Sequence, residues 1–295
     1  MAGHRWRDNE LIDFAGTGSS RGFVPSARLE AGGVTLARGQ LAANDGVALG
    51  AAQITIAVIE SACVSLEWYP PGTDPQRHFL LPNSAQILSA GRPCRSRWAG
   101  RPTILAVAFD DALIEQLRIE TGLQDETPVG SRLGLRDPDI DTIIAKLRLE
   151  LDFGGWSGRG FLASIGIVLA VHLLRHYRGG RPAHTSGGLS DRRLRRVAGF
   201  IETHLGDEIN QAELAGLAAL SPHHFASAFR RSAGVAPHRY VLERRIAHAR
   251  ALLAGSEATI TTIAHGLGFA SHGHFSESFR RMVGVTPSRY RERRR

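Results

Sequence analysis

The chain has 295 residues, of which 43% are hydrophobic and 22% charged, with two cysteines and a formal net charge of +8. That length exceeds one average core and favours two domains, and the balance of residues excludes wholesale disorder. Two cysteines exclude a disulfide scaffold and a four-cysteine zinc site.

The opening stretch, MAGHRWRDNELIDF, has scattered charge and no apolar segment of the secretory kind, so a cytoplasmic location is expected. Residues 30–109 contain the short apolar stretches ITIAVI, CVSLEW, RHFLL, AQIL and TILAVAF, punctuated by Gly, Pro and Asn. These predict strands of an antiparallel sandwich or barrel. Cys63 and Cys94 are expected as buried free thiols, with pairing as the alternative. Trp68, His78 and Trp98, beside Phe79 and Arg97, offer aromatic walls and a polar end for an effector pocket, against plain core packing for each. His78 is the one histidine between 30 and 109, so no metal site is expected there and no cofactor is called for.

From 111 to 178 the apolar spacing becomes helical. Asp110 or Asp111 caps ALIEQLRIE, Asp137 and Pro138 open DIDTIIAKLRLELDF, and FLASIGIVLAVHLL runs from Phe161 to Leu174. The last two predict a helical hairpin. The Phe161 run is shorter than the ~18 residues of a membrane span, so no membrane partner is expected. Being apolar on nearly every face, it meets the sheet on one side; its other side is either buried within the chain or pairs in a homodimer.

RGGRPAHTSGGLS, Arg178 to Ser190, has linker composition. The expected division is therefore 1–178, with 30–109 β-rich and 111–178 helical, then a linker at 179–189 and a second domain at 190–295. From Leu189 onward there are 17 Arg against 9 Asp and Glu, so the whole excess of +8 lies there. A basic module joined to a neutral one points to a polyanion partner for the second domain.

That module contains a duplication. SPHHFASAFRRSAGVAPHRY from Ser221 and SHGHFSESFRRMVGVTPSRY from Ser271 coincide at an offset of 50 in His, Phe, Arg, Gly, Val, Pro and Tyr positions. Ser221 and Ser271 stand where N-caps belong, and Gly234 and Gly284 where left-handed C-caps belong. Phe225 and Phe229, like Phe275 and Phe279, share one buried face. Opposite lie His223, Ala226, Ser227 and Arg230, and in the second copy His272, Ser276, Glu277 and Arg280. A shorter apolar helix precedes each, QAELAGLAAL and TITTIAHGLGF, giving two helix-turn-helix units. PHRYVLERRIAHARALLAG between them predicts a connecting helix capped by Gly255. If continuous, it holds the second helices apart at a separation suited to successive major grooves.

On these residues, 190–292 resembles the DNA-binding domain of the AraC/XylS family of transcription regulators. IAHGLGFASHGHFSESFRRMVGVTPSRYR and LAGLAALSPHHFASAFRRSAGVAPHRYV carry the resemblance. It implies seven helices, double-stranded DNA as partner, contact with RNA polymerase, and control by the other domain through a small-molecule effector. It also implies an α+β protein, with an N-terminal cupin-like β domain and its helical hairpin followed by an all-α domain of two helix-turn-helix units. His223, Ala226 and Ser227 fall at the base-reading positions of the first unit, and Ser276 and Glu277 at those of the second. There Gly273 is the strict counterpart of His223, and His272 lies beside it. Where the family often has Arg, this chain has Ser227 and Glu277. Glu277 either accepts from cytosine N4 or faces solvent. Ala219 stands where the tight turn commonly has Gly, as Gly268 does.

Arg230, Arg231, Arg280 and Arg281 are the expected phosphate contacts, with backbone amides at the Ser221 and Ser271 helix starts. The terminal RYRERRR either frays or adds nonspecific attraction. The leading expectation is a sequence-specific regulator, not an enzyme, acting as an activator. The rivals are a DNA-repair alkyltransferase using a cysteine, and a nonspecific nucleic-acid-binding protein.

Overall fold

The computed structural model describes residues 10–14, 22–61, 63–70, 74–123, 127–179 and 188–294. The chain forms two compact units, Met1–His184 and Thr185–Arg295. Most of the expected linker lies outside the described residues.

The first unit contains strands β1 (Glu10–Ile12), β2 (Phe23–Ala31), β3 (Val34–Leu41), β4 (Asn44–Ala51), β5 (Ile54–Ile59), β6 (Val64–Tyr69), β7 (Gln76–Leu80), β8 (Ala85–Leu88), β9 (Cys94–Trp98) and β10 (Thr103–Phe109). Helix α1 (Asp111–Glu120), strand β11 (Arg132–Leu135) and helices α2 (Pro138–Asp152) and α3 (Arg159–His176) follow. The strands make a five-stranded sheet, β1-β4-β9-β6-β7, and a six-stranded sheet, β11-β8-β5-β10-β3-β2. The β1–β4 pairing is parallel. The β10–β3 and β10–β5 pairings at the centre of the larger sheet are antiparallel.

The continuous apolar runs of β5 and β10 are explained by two cores, one on each face of the larger sheet. Ile54, Ile56 and Val58 of β5, with Leu105, Val107 and Phe109 of β10, pack against the helices. Ala57 and Ile59, with Ile104, Ala106 and Ala108, face the smaller sheet. Helix α1 is capped by Asp110, whose Oδ1 accepts the Leu113 N–H at 2.7 Å. Helix α2 is tied to the sheet by ions: Arg38 bonds Glu60 at 2.6 Å and Asp152 at 2.7 Å, and Arg148 bonds Glu60 at 2.6 Å.

Three expectations need correction here. Strand structure begins before residue 30, because β1 and β2 precede it; β2 carries Pro25 at the sheet edge beside a register shift, the place where a strand tolerates proline. The segment 111–178 is not all helical, since β11 adds an edge strand to β8 with an irregular register. Helix α3 is longer than its apolar run, with the length and mean hydropathy (1.2) of a membrane crossing. Its buried side, Leu162, Gly166, Leu169, Ala170, Leu173 and Leu174, is that of a core helix. Gly166 allows the close approach to the sheet, since a Cβ there would lie 2.6 Å from Val34 Cγ2. Phe161, Ile167 and Val168 stay exposed on its other side.

The second unit has seven helices among the described residues: α4 (Asp191–Thr203), α5 (Gln211–Leu217), α6 (Pro222–Ala233), α7 (Pro237–Gly255), α8 (Ile260–Gly266), α9 (His272–Val283) and α10 (Pro287–Arg294). The protein is thus α+β, a two-sheet β domain with helices and an all-α domain. Helix α7 is continuous from Pro237 to Gly255, but Gly255 does not cap it; Ser256, in extended conformation, does, its N–H reaching Leu252 O. The terminal arginines do not form a frayed tail up to Arg294: α10 buries Pro287 and Tyr290, and Arg291 donates to Ala258 O at 2.6 Å.

Candidate nucleic-acid interface and effector cavity

Helices α6 and α9 begin alike and end alike. Ser221 Oγ accepts the His224 N–H at 3.4 Å and Ser271 Oγ accepts that of His274 at 3.1 Å. Gly234 and Gly284 close them at φ 72° and 89°. The burial pattern of 221–234 repeats residue for residue over 271–284. Phe225, Phe229, Phe275 and Phe279 are fully buried, and the Phe229 and Phe279 rings meet Tyr240 and Tyr290 edge-on at 5.6 and 5.5 Å.

That packing decides what the other face shows. His223, Ser227, Arg230 and Arg231 are exposed on α6, and His272, Glu277, Arg280 and Arg281 on α9; Ala226 and Ser276 are half-buried beside them. Arg231 Nη1 donates to Ser227 Oγ at 2.7 Å, so a residue expected to touch phosphate and one expected to read bases are already linked. The cap hydroxyls of Ser221 and Ser271 serve their own helices.

The turns before α6 and α9 have one geometry. Leu220 N–H bonds Ala215 O and Phe269 N–H bonds Ala264 O, both at 3.0 Å. Ala219 and Gly268 both adopt left-handed φ, 50° and 69°. The alanine therefore does not alter the first turn; it takes up the backbone conformation that glycine adopts freely. Sequence reasoning missed the part played by Arg245 of α7, which donates to Leu205 O (2.9 Å), Gly268 O (2.9 Å) and Asp207 O (2.7 Å). Its burial lowers its pKa. Arg244 and His248 of α7 both engage Glu202 of α4. Burial works to raise the Glu202 pKa, and the bonds from His248 and Arg244 outweigh it, leaving a carboxyl below its ordinary value.

In the first unit a cavity of about 140 Å³ lies between the sheets, walled by Trp68, Trp98, Leu66, Leu80 and Ile104. Trp68 and Trp98 both line it. His78 is not part of the lining: it packs beside Trp68, ring centres 5.9 Å apart, with Nε2 3.2 Å from Gln76 Oε1. Gln86, which sequence reading passed over, supplies the polar end. It alternates with Ala85 and Ile87 along β8, so its side chain faces the inter-sheet space. Ser84 Oγ donates its proton to Leu81 O at 2.6 Å, so it can only accept from Gln86, at 3.0 Å. This makes the contacting atom Nε2 and leaves buried Oε1 without a hydrogen-bond partner. A polar residue inside the apolar AQIL strand was the available signal.

Cys94 also lines the cavity. Burial pushes its thiol up, against the hydrogen bonding of Trp68 and Tyr69, which holds it away from the thiolate that alkyl transfer requires. Asp137, Asp139 and His172 come close enough to suggest a cation site. Asp137 is already engaged: Oδ1 accepts the Asp139 and Ile140 N–H groups, and Oδ2 the Tyr177 hydroxyl at 2.6 Å and His172 at 2.9 Å. That arrangement is a helix cap braced from α3.

Residues 214–293 match the family described as helix-turn-helix domain. The chain is 32% identical over 80 residues to the regulatory protein PocR of Salmonella typhimurium, covering 27% of this chain and 26% of PocR. It is 36% identical over 78 residues to the transcriptional activator RhaS of Escherichia coli, covering 26% of this chain and 28% of RhaS. The chain thus spans little more than a quarter of these relatives. A solved structure of a probable AraC family regulator from Rhodopseudomonas palustris is similar at 32% identity, over 35% of this chain and 97% of that one, with a TM-score of 0.33. Together with the paired helix-turn-helix units, the sequence matches show that residues 214–293 form a helix-turn-helix domain similar to those of transcriptional regulators such as PocR and RhaS.

Proposed function

We propose that the protein is a sequence-specific transcriptional regulator that inserts α6 and α9 into successive major-groove segments of one duplex and is controlled by its N-terminal domain. The observation that carries this reading is the residue-for-residue repetition of burial in α6 and α9, which presents two polar faces from one basic module. His223, Ala226 and Ser227 read bases in the first segment, and His272, Ser276 and Glu277 in the second; Arg230, Arg231, Arg280 and Arg281, with the Ser221 and Ser271 helix starts, meet phosphates. RhaS is named an activator, and that favours activation, with RNA polymerase as the protein partner. The exposed Phe161, Ile167 and Val168 side of α3 is the proposed surface for a homodimer.

Control enters through the inter-sheet cavity. Its volume of about 140 Å³ suits a compact apolar molecule of about one ring, and Gln86 Oε1 favours one carrying a hydrogen-bond donor. Among the described residues, no carboxylate lines it.

Selection of bound duplexes from a random pool tests the DNA reading. The wild type is expected to enrich one site over random duplex by ~10³ or more. His223→Ala should relax preference at one cluster of base pairs and Glu277→Ala at another. Equal affinity for all sequences would favour the nonspecific alternative and remove the assignment of both helices as readers.

A further inference from the structure

Helices α6 and α9 match in burial but differ in what surrounds their flanks. Beside α6 a notch of about 310 Å³ opens between the recognition helix, the start of α4 and the backbone of Gly188 and Leu189. Its ionisable lining residues are Arg193, His223, His224 and Arg231, with no carboxylate among them. The end of the linker is fastened to the same helix. Ser232 Oγ accepts the Leu189 N–H at 2.7 Å, and a Cβ on Gly188 would fall 2.4 Å from that oxygen.

The second helix-turn-helix shows what is particular about the first. Leu194, Val197 and Ile201 of α4 recur in α7 as Ile246, Ala249 and Leu253, all buried, which sets Arg193 opposite Arg245. The Arg245 guanidinium is consumed by three carbonyls. That of Arg193 is exposed and has no hydrogen-bond or ion-pair partner among the described residues. At the place of Ser227, moreover, the second helix has Glu277. The first helix-turn-helix therefore keeps a free cation on the flank where the second has spent its own.

We infer that this notch seats one backbone phosphate of the bound duplex, held by Arg193 from α4 and Arg231 from α6. The inference rests on the DNA-binding reading above. Two guanidinium groups lining one notch, with no carboxylate among its described lining residues, match the charge and the fork geometry of a phosphate. Such a contact fixes how α6 sits in the groove without choosing the sequence. Because Leu189 forms part of the wall, the seat also joins the end of the linker to the DNA-bound state.

The test measures affinity of the full chain for its selected duplex and for random duplex across a salt series. Arg193→Ala should weaken both by the same factor, reduce the salt slope by about one, and leave base preference and thermal midpoint unchanged. Arg192→Ala, an exposed neighbour outside the notch, should change neither. Neutral methylphosphonates placed singly along the duplex should reveal one position that weakens the wild type and no longer affects Arg193→Ala. A wild type that binds normally while Arg193→Ala matches it, or while Arg192→Ala falls equally, overturns the phosphate seat alone. A wild type that binds no duplex overturns the DNA reading itself.

Discussion

Ala219 holds a glycine-like conformation without altering its turn. A non-glycine at the tight turn leaves it unaltered: its hydrogen bonds equal those around Gly268. The packing of α5 against α6 imposes the conformation, and the alanine bears a left-handed φ of 50°. Ala219→Gly should therefore stabilise the helical domain by about 0.5–1 kcal/mol, read as a higher thermal midpoint of the helical circular-dichroism signal. Gly268→Ala should do the opposite and more strongly, by about 2 kcal/mol, because it adds a Cβ 2.6 Å from Arg245 Nη2 as well as the backbone strain. Equal and small effects at both sites would mean that the turns relax freely.

Among elements, local chemistry was legible and distant pairing was not. The Asp110, Asp137, Ser221 and Ser271 caps could be placed because a cap and its amides lie within three residues. The strands β1 and β11 were missed: three or four residues are too few for a period of two to show. Nothing local announces that Glu202 of α4 will meet Arg244 and His248 of α7. That contact makes a prediction of its own. A carboxyl with a lowered folded-state pKa stabilises the fold above its ordinary value of 4.5, and the contribution fades as pH falls through the folded value. Glu202→Gln should cost about 2 kcal/mol at pH 7. The difference between variant and wild type should shrink on acidification below pH 4.5, measured by urea unfolding. A constant difference across that range would mean that the pair contributes packing rather than charge.

At the scale of the whole molecule, the charge division and the duplication disclosed the nature of the C-terminal domain, because both are arithmetic on the chain. The N-terminal cavity was only half legible. Trp68 and Trp98 stood out by type, whereas Gln86 gained meaning only when two sheets and a neighbouring serine fixed its free oxygen. Of the chain's four tryptophans, at 6, 68, 98 and 156, two line the cavity, so tryptophan fluorescence reports on its occupancy. A one-ring phenol such as p-cresol should perturb that emission and raise its thermal midpoint, and toluene should do so less. Gln86→Leu should erase the difference between the two; a difference that persists would remove Gln86 as the polar contact.

Helix α7 runs unbroken from Pro237 to Gly255, with proline only at its first residue. If α6 and α9 enter the duplex as proposed, a span without a hinge leaves no freedom to rephase one against the other. One base pair inserted between the two contacted segments turns the far one by about 35° about the duplex axis. The compensating twist would then have to come from the DNA, and the allowed gap in a binding site would be dictated by protein architecture and not by nucleotide sequence.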